Sequence, residues 1–226
     1  MTRRTLSLAA LITVAIAASA DAFGGWAIIT LRDLPGRLVV GTPTELSFII
    51  RQHGVDPLTG LQPVVEARTG TLLTGTKVTA KAKPGLVRGQ YTAALTVPKE
   101  GEWRVTINSG FGPSKLELLP IRATDGKTTV AALAGAELGK HLFVAKGCVM
   151  CHVHAATGDE QVIKGAAPDL TGKQFDPAYL ALWLADPSIR PPSAGKGPMP
   201  NLALSKPEIA ALALFVNDRS VASAKR

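Results

Sequence analysis

The chain has 226 residues, which is room for one large domain or for two small ones that each bury a core. Hydrophobic residues make up 46% of it and charged residues 19%, a balance typical of a globular protein and not of a disordered one. The formal net charge of +8 is scattered singly between apolar positions, which predicts a diffuse positive field and argues against a nucleic-acid groove.

The N-terminus has the pattern of a secretory signal. Two arginines precede an apolar run over 6–18, and small residues follow through Ala22. Cleavage after Ala20 or after Ala22 fits this pattern, so the signal is taken as 1–22. A retained membrane anchor is the alternative, but the run is shorter than the ~20 residues that a spanning helix needs. The sequence therefore predicts export to the periplasm or an equivalent compartment.

Short β-strands are predicted for the residues after the signal. β-branched or alternating stretches are separated by Pro/Gly turns, and apolar side chains recur with period two at 91–97 and 103–107. This spacing predicts an antiparallel sandwich of immunoglobulin-like type over 23–122. The predicted strands are 27–31, 37–40, 45–51, 64–68, 77–83, 89–97, 103–108 and 115–121.

Helices are predicted after a polar linker at 123–130. An Asp-Pro pair at 176–177 supplies an N-cap and a proline at the first helical position. Ser205 and Glu208, three residues apart, form a capping box. An all-α domain is therefore predicted over 131–226. Its helices are expected at about 132–146, 176–186 and 205–218.

The chemistry is carried by Cys148-Val149-Met150-Cys151-His152, which has the Cys-x-x-Cys-His spacing of c-type haem attachment. Two cysteines at this spacing form thioethers with the haem vinyl groups, and the adjacent histidine binds the iron as proximal ligand. A redox or metal-binding Cys-x-x-Cys is the alternative. It would need a thioredoxin-like context or a second ligand pair, and the chain has only these two cysteines. We therefore predict one covalently attached haem c.

The distal ligand follows by elimination among three methionines. Met1 is in the signal, and Met150 lies inside the attachment loop, from which it does not reach the opposite haem face. Met199, in a Gly/Pro-rich loop, remains. The competing ligands are histidines: His154 is too close to the proximal ligand, His141 sits on the preceding helix, and His53 belongs to the other domain.

Four motifs of the C-terminal segment occur in the order found in one family. They are Gly139-x-x-x-Phe143, Ala167-Pro168-Asp169-Leu170-Thr171-Gly172, the stretch 179–187 with Tyr179 and Trp183, and the loop 196–202 with Met199. From Gly139 to the C-terminus the sequence therefore resembles a class I (mitochondrial-type) cytochrome c domain.

The resemblance implies roles for further residues. Gly139 would permit close crossing by the C-terminal helix, with Leu212 and Phe215 as partners. The carbonyl of Pro168 would accept the His152 N–H. The other expected haem-cavity residues are Leu170, in the same loop, and Trp183, for which plain core packing is the alternative. Three lysines are expected near the haem edge, where they would steer acidic partners: Lys146, Lys173 and Lys196. Simple solvation of these lysines is the alternative.

The preferred function is that of an electron carrier with no catalytic residues. His/Met ligation saturates the iron and raises its potential, which leaves no open position for a substrate. The expected partners are redox proteins (an oxidase, a reductase or another cytochrome), not nucleic acid, with any membrane association made through a partner complex.

Two alternatives give the β-sandwich a larger role. As an electron-transfer subunit of a respiratory oxidase, the chain is similar in layout to haem-fused oxidase subunit II. However, 23–122 contains His53 and neither Cys nor Met for the copper site of that family. As a copper-handling or oxidase-assembly module with a haem port, it resembles weakly some exported immunoglobulin-like domains. Docking or structural support is the preferred role of the sandwich.

Overall fold

The structure is a computed structural model that describes residues 25–71, 74–192 and 197–219. The predicted signal at 1–22 lies outside these residues. Two regions follow each other along the chain: strands up to Thr124 and helices from Gly135. Among the residues that the structure describes, no helix is long and apolar enough to cross a membrane.

The described strands form two sheets. The first has the order β1-β3-β8-β7, with β4 paired to β3, and the second has the order β2-β11-β9-β5-β6, with β10 paired to β9. The strands are β1 (Ala27–Leu31), β2 (Leu38–Val39), β3 (Thr44–Gln52), β4 (Asp56–Pro57), β5 (Val64–Thr69), β6 (Thr76–Lys81), β7 (Lys83–Pro84), β8 (Gln90–Leu95), β9 (Gly101–Asn108), β10 (Lys115–Glu117) and β11 (Ile121–Thr124).

Alternate side chains of the strands form the core of this β region, as the period-two pattern predicts. Leu46, Phe48 and Ile50 of β3 are buried, and their neighbours are more exposed. Phe48 lies opposite Tyr91 of β8, and the two rings stack with centroids 6.3 Å apart. In β9 the same alternation buries Trp103 and its period-two neighbours.

The strand prediction differs from the structure at five places. The short strand β4 is not predicted, and the predicted strand at 77–83 is two strands, β6 and β7, which lie in different sheets. The described pairs are antiparallel as expected, except β2–β11, which is parallel. The predicted strand at 115–121 is two strands, β10 and β11, because Pro120 has no N–H to continue the ladder. β11 continues through Ala123 and Thr124, the first two residues of the predicted linker, and both are buried.

Three helices are described in the C-terminal region: α1 (Gly135–Ala145), α2 (Pro177–Ala185) and α3 (Lys206–Val216). The predicted caps are confirmed. The Asp176 carboxylate accepts a hydrogen bond from the Tyr179 N–H at 2.8 Å. The N–H of Ser205 donates to the Glu208 carboxylate at 2.8 Å, and α3 begins with this capping box.

The first and last helices cross at Gly139, as predicted. A Cβ on Gly139 would overlap the backbone carbonyl of Ala211 and would lie 2.6 Å from the Cβ of Phe215. The rings of Phe143 and Phe215 lie 5.4 Å apart beside the crossing. Since only glycine fits at this point, α1 and α3 approach each other at backbone distance and enclose one side of the region.

Candidate haem-binding site

A cavity of about 1250 Å³ opens between the helices and one end of the β region. It exceeds the roughly 300–1,000 Å³ of ordinary small-molecule pockets, so it has room for a large planar group. All the predicted cofactor-binding residues lie on its wall: Cys148, Cys151, His152, Pro168, Leu170, Trp183 and Met199.

The proximal side is built around His152. Its Nδ1 donates a hydrogen bond to the carbonyl oxygen of Pro168 at 2.9 Å, the contact that the resemblance implied. This bond fixes the tautomer and leaves Nε2 for a metal. Burial lowers the pKa of His152 more than the Pro168 bond raises it, so the imidazole is neutral at neutral pH. A neutral imidazole is the form that ligates iron.

The two cysteines follow α1, with Cys148 opening a 3₁₀ turn over Cys148–Met150. Burial, with a smaller effect from Cys151, raises the pKa of the Cys148 thiol to about 12, and burial raises that of Cys151 to about 11. Redox-active Cys-x-x-Cys motifs have lowered pKa values because they react as thiolates. Two protonated thiols on an apolar wall fit thioether attachment better than disulfide chemistry.

The distal side is formed by Met199 and by Trp183 of α2. The Trp183 indole N–H donates to Met199 Sδ at 3.0 Å. Trp183, which is partly buried, therefore has a polar contact inside the cavity, and this contact holds the thioether in place. Lys196, which precedes this methionine, lies outside the described residues.

Two of the competing histidines lie away from the cavity wall. His141 has its Nε2 3.6 Å from a carboxylate oxygen of Glu137 on the same helix. His154 is fully buried, with its ring centroid 4.3 Å from that of Phe215. His53, however, lies on the wall. Membership of the β region therefore does not keep His53 away from the cavity.

Lys146 lies on the cavity wall, as expected of a residue near the haem edge, but it is buried and is not a surface lysine. Its side chain is 4% exposed, its Nζ lies 2.6 Å from a Glu208 carboxylate oxygen, and it donates to the carbonyl of Arg32. Burial alone would raise the pKa of Glu208. Hydrogen bonds from Lys146 and Ser205 outweigh that effect and hold the pKa below its usual value. Lys146 is thus an internal link between the two regions.

The wall also contains residues that sequence reasoning missed. Trp26, Ile28, His53 and Gly54 of the β region line the cavity together with the residues around the attachment motif. No local pattern marks them, because they reach the site only when the two regions pack together.

The donor set fits a covalently attached haem. An imidazole, a thioether and two thiols at attachment spacing lie on one large, mostly apolar cavity. Elsewhere in the described ranges, no group of three or more His, Cys, Asp or Glu side chains is placed to hold a metal ion.

Comparison with known families gives a match to the model described as Cytochrome c over residues 136–220. Comparison with curated proteins gives no match. Among solved structures, the ZirS C-terminal domain is similar with a TM-score of 0.35 and 14% identity, over 47% of this chain and 74% of that one.

The chain thus consists of a β-rich N-terminal region with two sheets and a helical cytochrome c domain at its C-terminus. The cytochrome c family implies covalently bound haem c, haem-based electron transfer and interaction with redox partners.

Proposed function

We propose that this protein is an exported, mono-haem cytochrome of class I type that carries electrons between redox partners such as an oxidase, a reductase or another cytochrome. The observation that carries the proposal is the convergence of Cys148, Cys151, His152 and Met199 on one cavity inside the segment that matches the cytochrome c family.

Each residue has a defined task in holding the group. Cys148 and Cys151 would bond covalently to the haem, His152 would bind iron through Nε2, and Met199 through Sδ. The bound haem supplies reversible one-electron exchange at its iron. Pro168 fixes the orientation of the His152 ring, and Trp183 fixes the Met199 thioether. With His152 and Met199 both bound to it, the iron would have no open position for a substrate, so we class the protein as a carrier and not as an enzyme.

The remaining parts of the proposal concern location and organisation. Export to the periplasm rests on the signal pattern at 1–22, and the single haem rests on the single attachment motif. The β region is proposed to be an immunoglobulin-like sandwich over about 23–122 that supports or docks the cytochrome domain at 131–226. Its two sheets and their shared buried core support this proposal.

The test is the state of the distal ligand in the full-length holoprotein. Wild-type protein should show the weak near-infrared sulfur-to-iron band when oxidised, and should bind carbon monoxide poorly when reduced. Met199→Ala should abolish the band, admit carbon monoxide and lower the reduction potential, because thioether ligation favours ferrous iron.

His141→Ala is the matched control, because His141 lies on α1 away from the cavity wall. It should leave the band and the carbon monoxide affinity unchanged. A wild-type holoprotein that lacks the band, or that binds carbon monoxide readily, would show that Met199 does not cap the iron and would end the carrier proposal.

A further inference from the structure

We propose that the β region is a fixed wall of the haem cavity, in which Trp26 and His53 cover the haem edge between the attachment motif and the Met199 loop. This inference rests on the proposed haem site. It gives the N-terminal region a direct effect on the haem, beyond support or docking.

The first observation is that β1 is packed onto the attachment motif. Met150 lies between the two attachment cysteines, and its Sδ accepts a hydrogen bond from the Ile29 N–H of β1 at 3.4 Å. Gly147, with φ of +81°, lies so close that a Cβ there would come within 2.5 Å of the Ile29 carbonyl oxygen. Met150 is 3% exposed. The residues that position the thioether cysteines are therefore held by the β region.

A second attachment holds the far side of the same segment. The Gln161 side chain accepts from the Glu117 N–H at 2.7 Å and donates to the Glu117 carbonyl at 3.0 Å. The Ile163 N–H in turn donates to the carbonyl of Met150 at 2.9 Å. With Lys146 joined to the Arg32 carbonyl, the attachment segment is anchored to the β region on both sides. Such a wall moves little relative to the cavity.

The third observation places the turn between β3 and β4 beside the distal loop. A Cβ on Gly54 would lie 3.5 Å from the ring of Pro200, the residue after Met199. The adjacent His53 has a backbone φ of +51°. Its N–H donates to the Trp26 carbonyl at 3.1 Å, and its ring stands edge-on to the Trp26 indole with centroids 5.0 Å apart.

Trp26 and His53 thus form one unit at the point where the attachment motif and the distal loop both meet the β region. Both side chains lie on the cavity wall. A haem joined to Cys148 and bound by Met199 would extend between these two borders, where Trp26 and His53 would cover its edge. The aromatic pair excludes water from that edge, and a lower local dielectric favours the less charged ferrous site.

The first experiment needs no variant of the wall itself. In labelled full-length holoprotein, the indole N–H resonances of the tryptophans are compared between the oxidised, paramagnetic state and the reduced state. Trp26 should shift strongly on reduction. Trp103, buried in the β core with its N–H donating to the Lys99 carbonyl, should shift little and serves as the internal reference. Trp26→Phe assigns the resonance.

The second experiment measures the shielding. Trp26→Ala combined with His53→Ala should lower the reduction potential and speed up reduction by a small outer-sphere reagent. Leu86→Ala combined with Val87→Ala, at the exposed tip between β7 and β8, is the matched control and should change neither quantity.

The outcomes separate this inference from the proposed function. Suppose that wild-type protein retains the covalent haem and the Met199 band while the Trp26 indole resonance shifts no more than that of Trp103. In that case the β region does not cover the haem edge, and the cytochrome assignment stands. If the variant with Trp26→Ala and His53→Ala has the same reduction potential and reduction rate as the control variant, these two side chains do not shield the haem from water.

Discussion

The β region and the helical region of this chain fill their interiors in different ways. In the β region, Trp103, Tyr91 and Phe48 are the largest of the fully buried side chains, and they fill the core. In the helical region the crossing at Gly139 is tightly packed, but beyond it α1, α2 and α3 face a cavity of about 1250 Å³. The comparison indicates that the first region is stabilised by its own residues, whereas the second is completed by a covalently attached group.

The largest effect expected from this difference is on removal of the attachment. Full-length protein with Cys148→Ala and Cys151→Ala should lose haem. Its helical region should then lose cooperative structure, because a core with its main occupant missing is not stable. Circular dichroism should show loss of helix, and hydrogen exchange should show α1 and α3 unprotected while β3 and β8 stay protected.

Wild-type protein is the reference in this experiment, and it should keep its haem through acid–acetone extraction because thioethers are covalent. A haem-free variant whose helices exchange as slowly as those of the wild type would contradict the comparison. Complete extraction of haem from the wild type would contradict the attachment itself.

Two glycine-to-alanine substitutions compare a tightly packed position in the helical region with an open position in the β region. Gly139→Ala puts a methyl group into the Ala211 carbonyl and should lower the free energy of unfolding of the helical region by about 3 kcal/mol, the upper end for an overpacked core. Gly36→Ala in the β region meets no atom within 4 Å and should be near neutral. Chemical denaturation followed through the haem absorbance and through β-sheet circular dichroism measures both. Equal costs at the two positions would contradict the close crossing.

The smallest expected effect is at Glu208, the ion-pair partner of Lys146, which in turn links the two regions through the Arg32 carbonyl. Glu208→Gln removes the partner of buried Lys146 and should cost about 2 kcal/mol, less than a fully buried pair because Glu208 is partly exposed. The pKa of Glu208 is lowered in the folded protein. Its contribution is therefore complete above the unfolded pKa of about 4.3 and is lost as the pH falls through the folded pKa.

Glu137→Gln is the matched control for this measurement, because Glu137 is 59% exposed and its carboxylate lies 3.6 Å from His141 on the same helix. It should change stability little at any pH. Wild-type protein and Glu208→Gln should converge in stability at low pH, and parallel curves with a constant gap would show that the carboxylate charge does not stabilise the link.

Local sequence patterns predicted most of the secondary-structure elements and the part of the site that lies in the helical region. Period-two alternation located β8 and β9, and the capping residues located the starts of α2 and α3. The attachment motif and Met199 are recognisable because their chemistry needs particular residue types at close spacing, and the structure brings them to one cavity.

What the sequence did not reveal arises from contacts between the regions. Trp26 and His53 sit in stretches that look like ordinary strand and turn, and only the packing of β1 on Gly147 brings them to the cavity. Lys146 looks like a surface lysine for the same reason, since its partners, Arg32 and Glu208, are distant in sequence. Such long-range contacts leave no local periodicity.

The packing of Met150 against β1 also suggests the order in which the two regions fold. The β region precedes the attachment motif in the chain, and its core does not need the haem. We therefore expect it to fold first and to present β1 as a finished surface. Once the thioethers have formed, the segment around Gly147 and Met150 docks on that surface and the cavity closes around its occupant. The N-terminal region then acts as a template for maturation of the C-terminal one.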